Sequence, residues 1–366
     1  MPLSPERVIR RHIEPSDAYE RYEPDTNGHE PIRLDWNESP FGLSPRAEAT
    51  LRAFVAGNRY PAIDQALLRE ALGDYLGVDS DRVIAGAGLD DVINTLATTI
   101  IEQGDEVIIH EPTFGVYRSL FGLHGAKVVN VALGPPPDFA LSVDGILNAI
   151  GERTKLVLLC NPNNPTGNLF PKDDLVKTIE AAPCLVAIDE AYAEFSGASH
   201  TDLALAYDNV ITLRTMSKFA GLAGYRVGYG VFPGSLMPWF RRASPAFFNV
   251  SAPAAAVAIA SLADLDHLKV NAERIIFERE RLSGQLNDIL GVLAFPSATN
   301  FVLVSLPMKD ASTVVTALAR HGLLVRHFSH PDLANCIRIS IGLPEHHDRL
   351  LDVLRQTLES APEDQT

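Results

Sequence analysis

Between residues 64 and 215 the chain alternates short, wholly apolar runs with segments of helical period, and that alternation limits the fold more than any other feature. Strands are expected over 83–85, 106–110, 127–132, 155–160, 185–189 and 210–215, and helices over 65–76, 90–101, 113–122 and 143–150. Runs such as Leu185-Val186-Ala187-Ile188 are apolar at every position instead of every second one. A strand of that kind is buried on both faces, which requires helices above and below a mainly parallel sheet. Gly77 closes the first helix, and Gly86-Ala87-Gly88 breaks the chain between a strand and a helix.

After Pro253 the texture changes. An Ala-rich stretch over 253–263 reads as a core or interface helix, too short to cross a membrane. A long helix is expected over 265–289. Its Glu273, Arg274, Glu278, Arg279, Glu280 and Arg281 read as a solvated face. Strands over 301–306, 323–327 and 336–341, with helices over 311–321 and 347–358, make a smaller α+β domain. The expected organisation is an N-terminal arm (1–36), a large α/β domain (37–260), a smaller domain (261–360) and a disordered tail (361–366). Pro135-Pro136-Pro137 reads as a stiff loop.

A chain of 366 residues has room for two domains and a substantial core. A formal charge of −15 argues against nucleic acid or an anionic membrane as the main partner. Cys160, Cys184 and Cys336 have no metal-ligand spacing, no metal site is expected, and their apolar settings point to reduced thiols and a cytoplasmic location. The first residues, Met1-Pro2-Leu3-Ser4-Pro5-Glu6-Arg7, lack the apolar core of a signal peptide, and no apolar run reaches 18 residues.

Candidate chemistry lies on loops that follow strands, where open α/β sheets bind ligands. Thr215-Met216-Ser217-Lys218 leads through glycines to Arg226. A lysine amine can condense with an aldehyde, while hydroxyls and an arginine hold a phosphate; alone, the same segment is also an ordinary glycine-rich loop. Gly86-Ala87-Gly88-Leu89-Asp90-Asp91 opens a helix and is either a phosphate turn or a plain turn. Asp91 stands where a dinucleotide fingerprint needs its third glycine. Asn161-Pro162-Asn163-Asn164-Pro165-Thr166-Gly167 can present a side-chain amide rigidly, or serve only as a loop. Asp189 ends a buried strand, where a carboxylate is costly unless it meets a cation or donor; a protonated pyridine nitrogen would serve, with Tyr192 within reach of a phenolic oxygen on the same ring. Arg338, flanked by apolar residues, needs an anion, as does Arg326 on the preceding strand; for both, a structural ion pair is the other reading.

In order along the chain, Asn164, Asp189, Tyr192, Lys218, Arg226 and Arg338 resemble the motifs of the pyridoxal-phosphate aminotransferases of the aspartate aminotransferase fold. Asp35-Trp36-Asn37-Glu38-Ser39-Pro40, Arg59-Tyr60-Pro61 and Pro112-Thr113-Phe114-Gly115-Val116-Tyr117 make the chain similar to the histidinol-phosphate aminotransferase family. The resemblance implies a large domain with a seven-stranded, mainly parallel sheet, a ping-pong transaminase and pyridoxal 5'-phosphate as cofactor. It implies that Lys218 bears the aldehyde and shuttles the proton, that Asp189 keeps the ring nitrogen protonated, and that Tyr192 and Asn164 bond the ring's O3′. Gly88, the backbone of Leu89 and Asp90, Thr215, Ser217 and Arg226 would hold the phosphate. Phe114 would stack on the ring, and Tyr60 would reach across from the partner of a homodimer. Arg338, with Arg326, Asn37 and Tyr22, would bind substrate. Leu89, Phe114 and Ser39 depart from the residues usual in the family.

Histidinol phosphate with 2-oxoglutarate is the expected pair of amino donor and 2-oxo acid. Aromatic amino acids are an alternative, through Phe247, Phe248 and Tyr22, and a threonine-phosphate decarboxylase is another. A nicotinamide-dependent dehydrogenase would need a complete glycine fingerprint, and a cofactor-binding regulator would need a DNA-binding module that the 35-residue arm is too short to supply.

Overall fold

The structure, a computed structural model, describes residues 4, 7–13, 24–244, 249–308 and 310–359. Its larger sheet contains β2 (Val83–Gly86), β3 (Glu106–Glu111), β4 (Lys127–Ala132), β5 (Thr154–Cys160), β6 (Leu185–Asp189), β7 (Val210–Thr215) and β8 (Gly228–Val231). The order across it is β2-β8-β7-β6-β5-β3-β4, and every pair is parallel except the two made by β8. Successive residues of the central strands feed two separate cores. Leu156, Leu158, Cys160 and Ala187 pack on one face with the helices Leu89–Ile100 and Val116–Leu123. Val157, Leu159, Val186 and Ile188 pack on the other with the helix Lys172–Ala181. This is the doubly covered sheet that the unbroken apolar runs call for.

A second sheet has the order β1-β11-β12-β10-β9, from β1 (Ile32–Leu34), β9 (Leu293–Ala294), β10 (Phe301–Ser305), β11 (Leu323–His327) and β12 (Cys336–Ser340). It carries the helices Ser312–Arg320 and Pro344–Glu359, and the 23-residue helix Leu265–Asn287 joins it to the rest. The arm expected over 1–36 is therefore cut short, because residues 32–34 pair in parallel with β11 as the edge of this sheet. Three residues carry too little periodicity to announce a strand; their partner lies almost 300 positions away. Helices at Pro45–Ala53 and Lys172–Ala181 and the strand β8 were not expected either. The first starts on Ser44, whose hydroxyl accepts the Ala47 N–H, with Pro45 at its first position. The helix expected from 113 starts at Val116. The expected tail, 361–366, lies outside the described residues.

The solvated face expected on the long helix needs correction. Glu278 and Arg279 are buried. Glu278 bonds Arg281 and, at 2.6 Å, His347 Nδ1; Arg279 donates to the Thr299 carbonyl at 2.9 Å. The helix is wedged between the small sheet and the segment after Tyr192, so charges on its inner side find buried partners.

Candidate active site

The carboxyl ends of β5, β6 and β7 bring the expected residues together. Asp189 is the last residue of β6 and is buried. Its Oδ2 accepts from Tyr117 Oη at 2.5 Å and its Oδ1 from the Ala191 N–H at 3.0 Å. Burial raises its pKa from 3.8 to about 6, and the Tyr117 bond pulls the other way. Among the described residues, Asp189 forms no salt bridge. A buried carboxylate held only by neutral donors is a vacant partner for a cation, which a protonated ring nitrogen supplies. Tyr117 closes the Pro112–Tyr117 motif, where the sequence assigns it no role; its bond spans 72 positions and leaves no local signal.

The loop after β5 has cis bonds before Pro162 and Pro165. Its three asparagines divide the work. Asn161 accepts the Phe170 N–H, and Asn163 bonds the Pro112 carbonyl, Thr113 and Thr166. Those two fix the loop, and Asn164 is presented by it. Asn164 Nδ2 donates to Tyr192 Oη at 3.3 Å, and Asn37 Nδ2 donates to the same oxygen at 3.0 Å. With both lone pairs of the hydroxyl engaged, what Tyr192 has left to offer is its own proton. Burial raises the Tyr192 pKa, so the proton stays in place as a donor.

Asn37, expected to touch substrate, is a buried joint. Its backbone N–H donates to Ser340 Oγ, its Oδ1 accepts from that hydroxyl, and its carbonyl accepts from Asn300. It ties the chain after β1 to the small sheet on one side and to Tyr192 on the other.

Arg338 sits on β12 and is buried. It donates to Asn164 Oδ1 at 2.6 Å and to the Asp35 carbonyl, and lies over the Phe301 ring at 5.2 Å. Those two acceptors are uncharged. Arg326 faces Arg338 across the β11–β12 register but is exposed. Tyr22, Phe247 and Phe248 lie outside the described residues.

Lys218 is half-buried, and its Nζ donates to the Trp36 carbonyl at 3.0 Å. Burial, then the positive charge of Arg338, lowers its pKa from 10.5 to about 8. A surface lysine carries its proton at neutral pH; this one is poised to lose it.

Beside Lys218, Thr215 Oγ1 accepts the Ser217 N–H, and both residues are buried. The Arg226 guanidinium bonds Asp90 at 2.8 Å and passes over Gly88 so closely that a Cβ there would stand 2.3 Å from Nη2. Gly88, at φ +90°, opens the helix Leu89–Ile100 without a side-chain cap. A helix start with unbonded amides, an arginine and two hydroxyls suits a phosphate. Phe114 is half-buried and meets Tyr117 edge-on at 5.5 Å. Tyr60 is largely exposed.

The described residues thus fit pyridoxal phosphate at each of its polar groups: Lys218 for the aldehyde, Asp189 for the ring nitrogen, Tyr192 and Asn164 for O3′, and Gly88, Thr215, Ser217 and Arg226 for the phosphate.

Residues 29–354 match the family model described as aminotransferase class I and II. A histidinol-phosphate aminotransferase of Roseiflexus castenholzii is 39% identical over 334 residues, 89% of each chain. A chloroplastic one of Arabidopsis thaliana is 38% identical over 328 residues, 89% of this chain and 78% of that one. The crystal structure of histidinol-phosphate aminotransferase from Sinorhizobium meliloti, in complex with pyridoxal-5'-phosphate, superposes with a TM-score of 0.85 at 31% identity, covering 91% of this chain and 93% of that one.

Proposed function

This chain belongs to the aminotransferase class I and II family, and we propose that it moves the amino group of histidinol phosphate to 2-oxoglutarate in a ping-pong cycle. It is a transaminase dependent on pyridoxal phosphate. The substrate reading is supported by relatives of that name at 38–39% identity along most of the chain. The observation that supports the cofactor reading in the structure is the convergence, on one set of strand ends, of a buried carboxylate without a salt bridge among the described residues, a doubly bonded tyrosine hydroxyl and a lysine with a lowered pKa.

When bound, the cofactor supplies an aldehyde for the donor's amine and a ring that accepts the electron pair freed at the donor's Cα. The rest falls to the chain. Lys218, with its pKa near 8, is neutral in a large fraction of molecules at mildly alkaline pH. It would therefore be the group that holds the cofactor at its aldehyde, and its Nζ would be the atom that accepts and returns a proton. Asp189 would hold the ring at a protonated nitrogen, whose charge would offset the cost of burying the carboxylate. Tyr192 and Asn164 donate to the ring oxygen. Arg338, on a buried strand with its guanidinium at Asn164 Oδ1 and the Asp35 carbonyl, would meet the phosphate or carboxylate of a substrate with its planar fork. Ser217, Thr215, Arg226 and the start of the helix after Gly88 hold the cofactor's phosphate.

A homodimer is part of this reading. Val55, Tyr60, Ile63 and Leu67 form a run of exposed apolar side chains near the start of the large domain, and Val55 is 91% exposed. That surface suits a second copy, from which Tyr60 would reach the neighbouring phosphate. The three free cysteines agree with a cytoplasmic setting.

The test is a panel of donors offered to the yellow, cofactor-loaded protein: histidinol phosphate, phenylalanine, tyrosine, glutamate and threonine phosphate. Bleaching of the visible band by histidinol phosphate well below the concentrations the aromatic acids need is the expected result. Preference for phenylalanine or tyrosine, or carbon dioxide released from threonine phosphate, would displace the assignment.

A further inference from the structure

Asp189 and Leu213 are register partners on β6 and β7, at the edge of the core beneath the cofactor site. The residues that follow them, Glu190 just past β6 and Arg214 on β7, belong to a buried ion cluster that the transamination scheme does not use. Arg214 Nε donates to Glu190 Oε2 at 3.2 Å, and Nη1 donates to Glu194 Oε1 at 3.4 Å; all three side chains are at most 9% exposed. The second Glu190 oxygen accepts the His200 N–H at 2.5 Å. Tyr75, from the helix Ala66–Leu76, donates to Glu194 Oε1 at 3.0 Å, and its ring stacks on Phe219 at 6.5 Å and 14°. Burial lowers the Arg214 pKa, but Glu194 and Glu190 outweigh it and hold the guanidinium charged.

We propose that Arg214 is a positioning residue for the cofactor-binding triad, acting from the far side of the sheet. Its fork spans the stretch of chain that carries the triad. Glu190 lies between Asp189 and Tyr192, and Glu194 lies two residues beyond Tyr192. Arg214 itself is three residues before Ser217, and Tyr75 extends the cluster to Phe219, the neighbour of Lys218. One planar group thus fixes the spacing between the acid, the phenol and the lysine, none of which it touches. A planar, permanently charged fork suits this task because it sets two carboxylates at a fixed separation, which an ammonium on a flexible stem does not. The cluster carries two carboxylates against one guanidinium; the His200 N–H bonds the second Glu190 oxygen, and the Tyr75 hydroxyl shares Glu194 Oε1 with Arg214. That is more bonding than a simple filler of the core would need.

This inference rests on the cofactor reading above, so the wild-type protein is the control. Arg214→Lys keeps the charge and loses the fork. Tyr75→Phe removes one hydroxyl and keeps the stack on Phe219. Each protein is loaded with pyridoxal phosphate; the pH midpoint of its visible band, its dissociation constant for the cofactor, its melting temperature and its kcat and KM are then measured. For Arg214→Lys the expectation is a displaced spectral midpoint and a fall in kcat on the order of tenfold, with KM for the donor changed less than about threefold. Tyr75→Phe should shift both in the same direction by less. Wild-type midpoint and kcat in Arg214→Lys, with only the melting temperature lowered, would reduce the cluster to a structural role and overturn the proposal. Should Arg214→Lys fail to fold, an unshifted midpoint in Tyr75→Phe overturns it equally. A wild-type protein that shows no visible band removes the cofactor reading and this inference with it.

Discussion

At the residue scale, two shifted groups define the chemistry, and each makes a prediction. Lys218→Ala removes the amine but leaves Asp189, Tyr192 and Arg226 in place. Cofactor binding should persist without the band that borohydride fixes, and turnover should fall at least about a thousandfold. Transamination at more than a tenth of the wild-type rate would move the base elsewhere. Asp189 predicts a pH effect on the cofactor-free protein. Its folded pKa, about 6, lies above the ordinary 3.8, so between those values the folded state binds more protons than the unfolded one. Stability of the cofactor-free protein therefore falls as pH rises through that window, by about 3 kcal/mol for this one group. Asp189→Asn should flatten the fall, raise the melting temperature at pH 8 and cost most of the activity. An unchanged pH profile of melting in Asp189→Asn would show that the carboxylate is not the strained group.

At the scale of elements, the phosphate end depends on backbones that approach closely. Gly228, at the start of β8, leaves no room: a Cβ there would lie 2.2 Å from the Leu89 amide. Gly88 is closed on its other side by the Arg226 guanidinium and has φ +90°. Gly88→Ala should push Arg226 off its position and weaken pyridoxal phosphate binding by ten- to a hundredfold, measured by titration of the visible band, about 1.4–3 kcal/mol. Binding within a factor of two of wild type would mean that the turn is not the phosphate seat. Gly86-Ala87-Gly88 was legible as a break between strand and helix because glycines punctuate a chain locally. The reason for Gly228 was not, since its neighbour comes from a strand pairing with β2 that no local pattern signals.

At the scale of the molecule, the site is a seam between two sheets. Arg338 from the small sheet, Asn164 from the large one and the chain after β1 meet through the Asn164–Tyr192–Asn37–Ser340 hydrogen bonds. Val55, Tyr60 and Leu67 are exposed, and the proposed homodimer would cover them with a second copy. Sedimentation of the loaded protein should show a dimer, and Tyr60→Phe should weaken the cofactor without altering the dimer. A fully active monomer would remove Tyr60 from the site.

Local rules gave much of this protein directly. The apolar runs set the doubly covered sheet because a strand without a polar face has no other place to go, whereas Lys218, Asn164 and Arg226 each read locally as an ordinary loop residue too and took a role only from the family resemblance. Glu278 and Arg279 were misread as solvated, because a side chain's neighbours depend on what packs against it. Tyr117 beneath Asp189, the Arg214 cluster behind it and β1 at the edge of the second sheet are likewise products of tertiary structure alone. Each joins positions far apart in the chain, where periodicity and capping carry no information and only register, packing and the need to satisfy buried polar groups choose the partner.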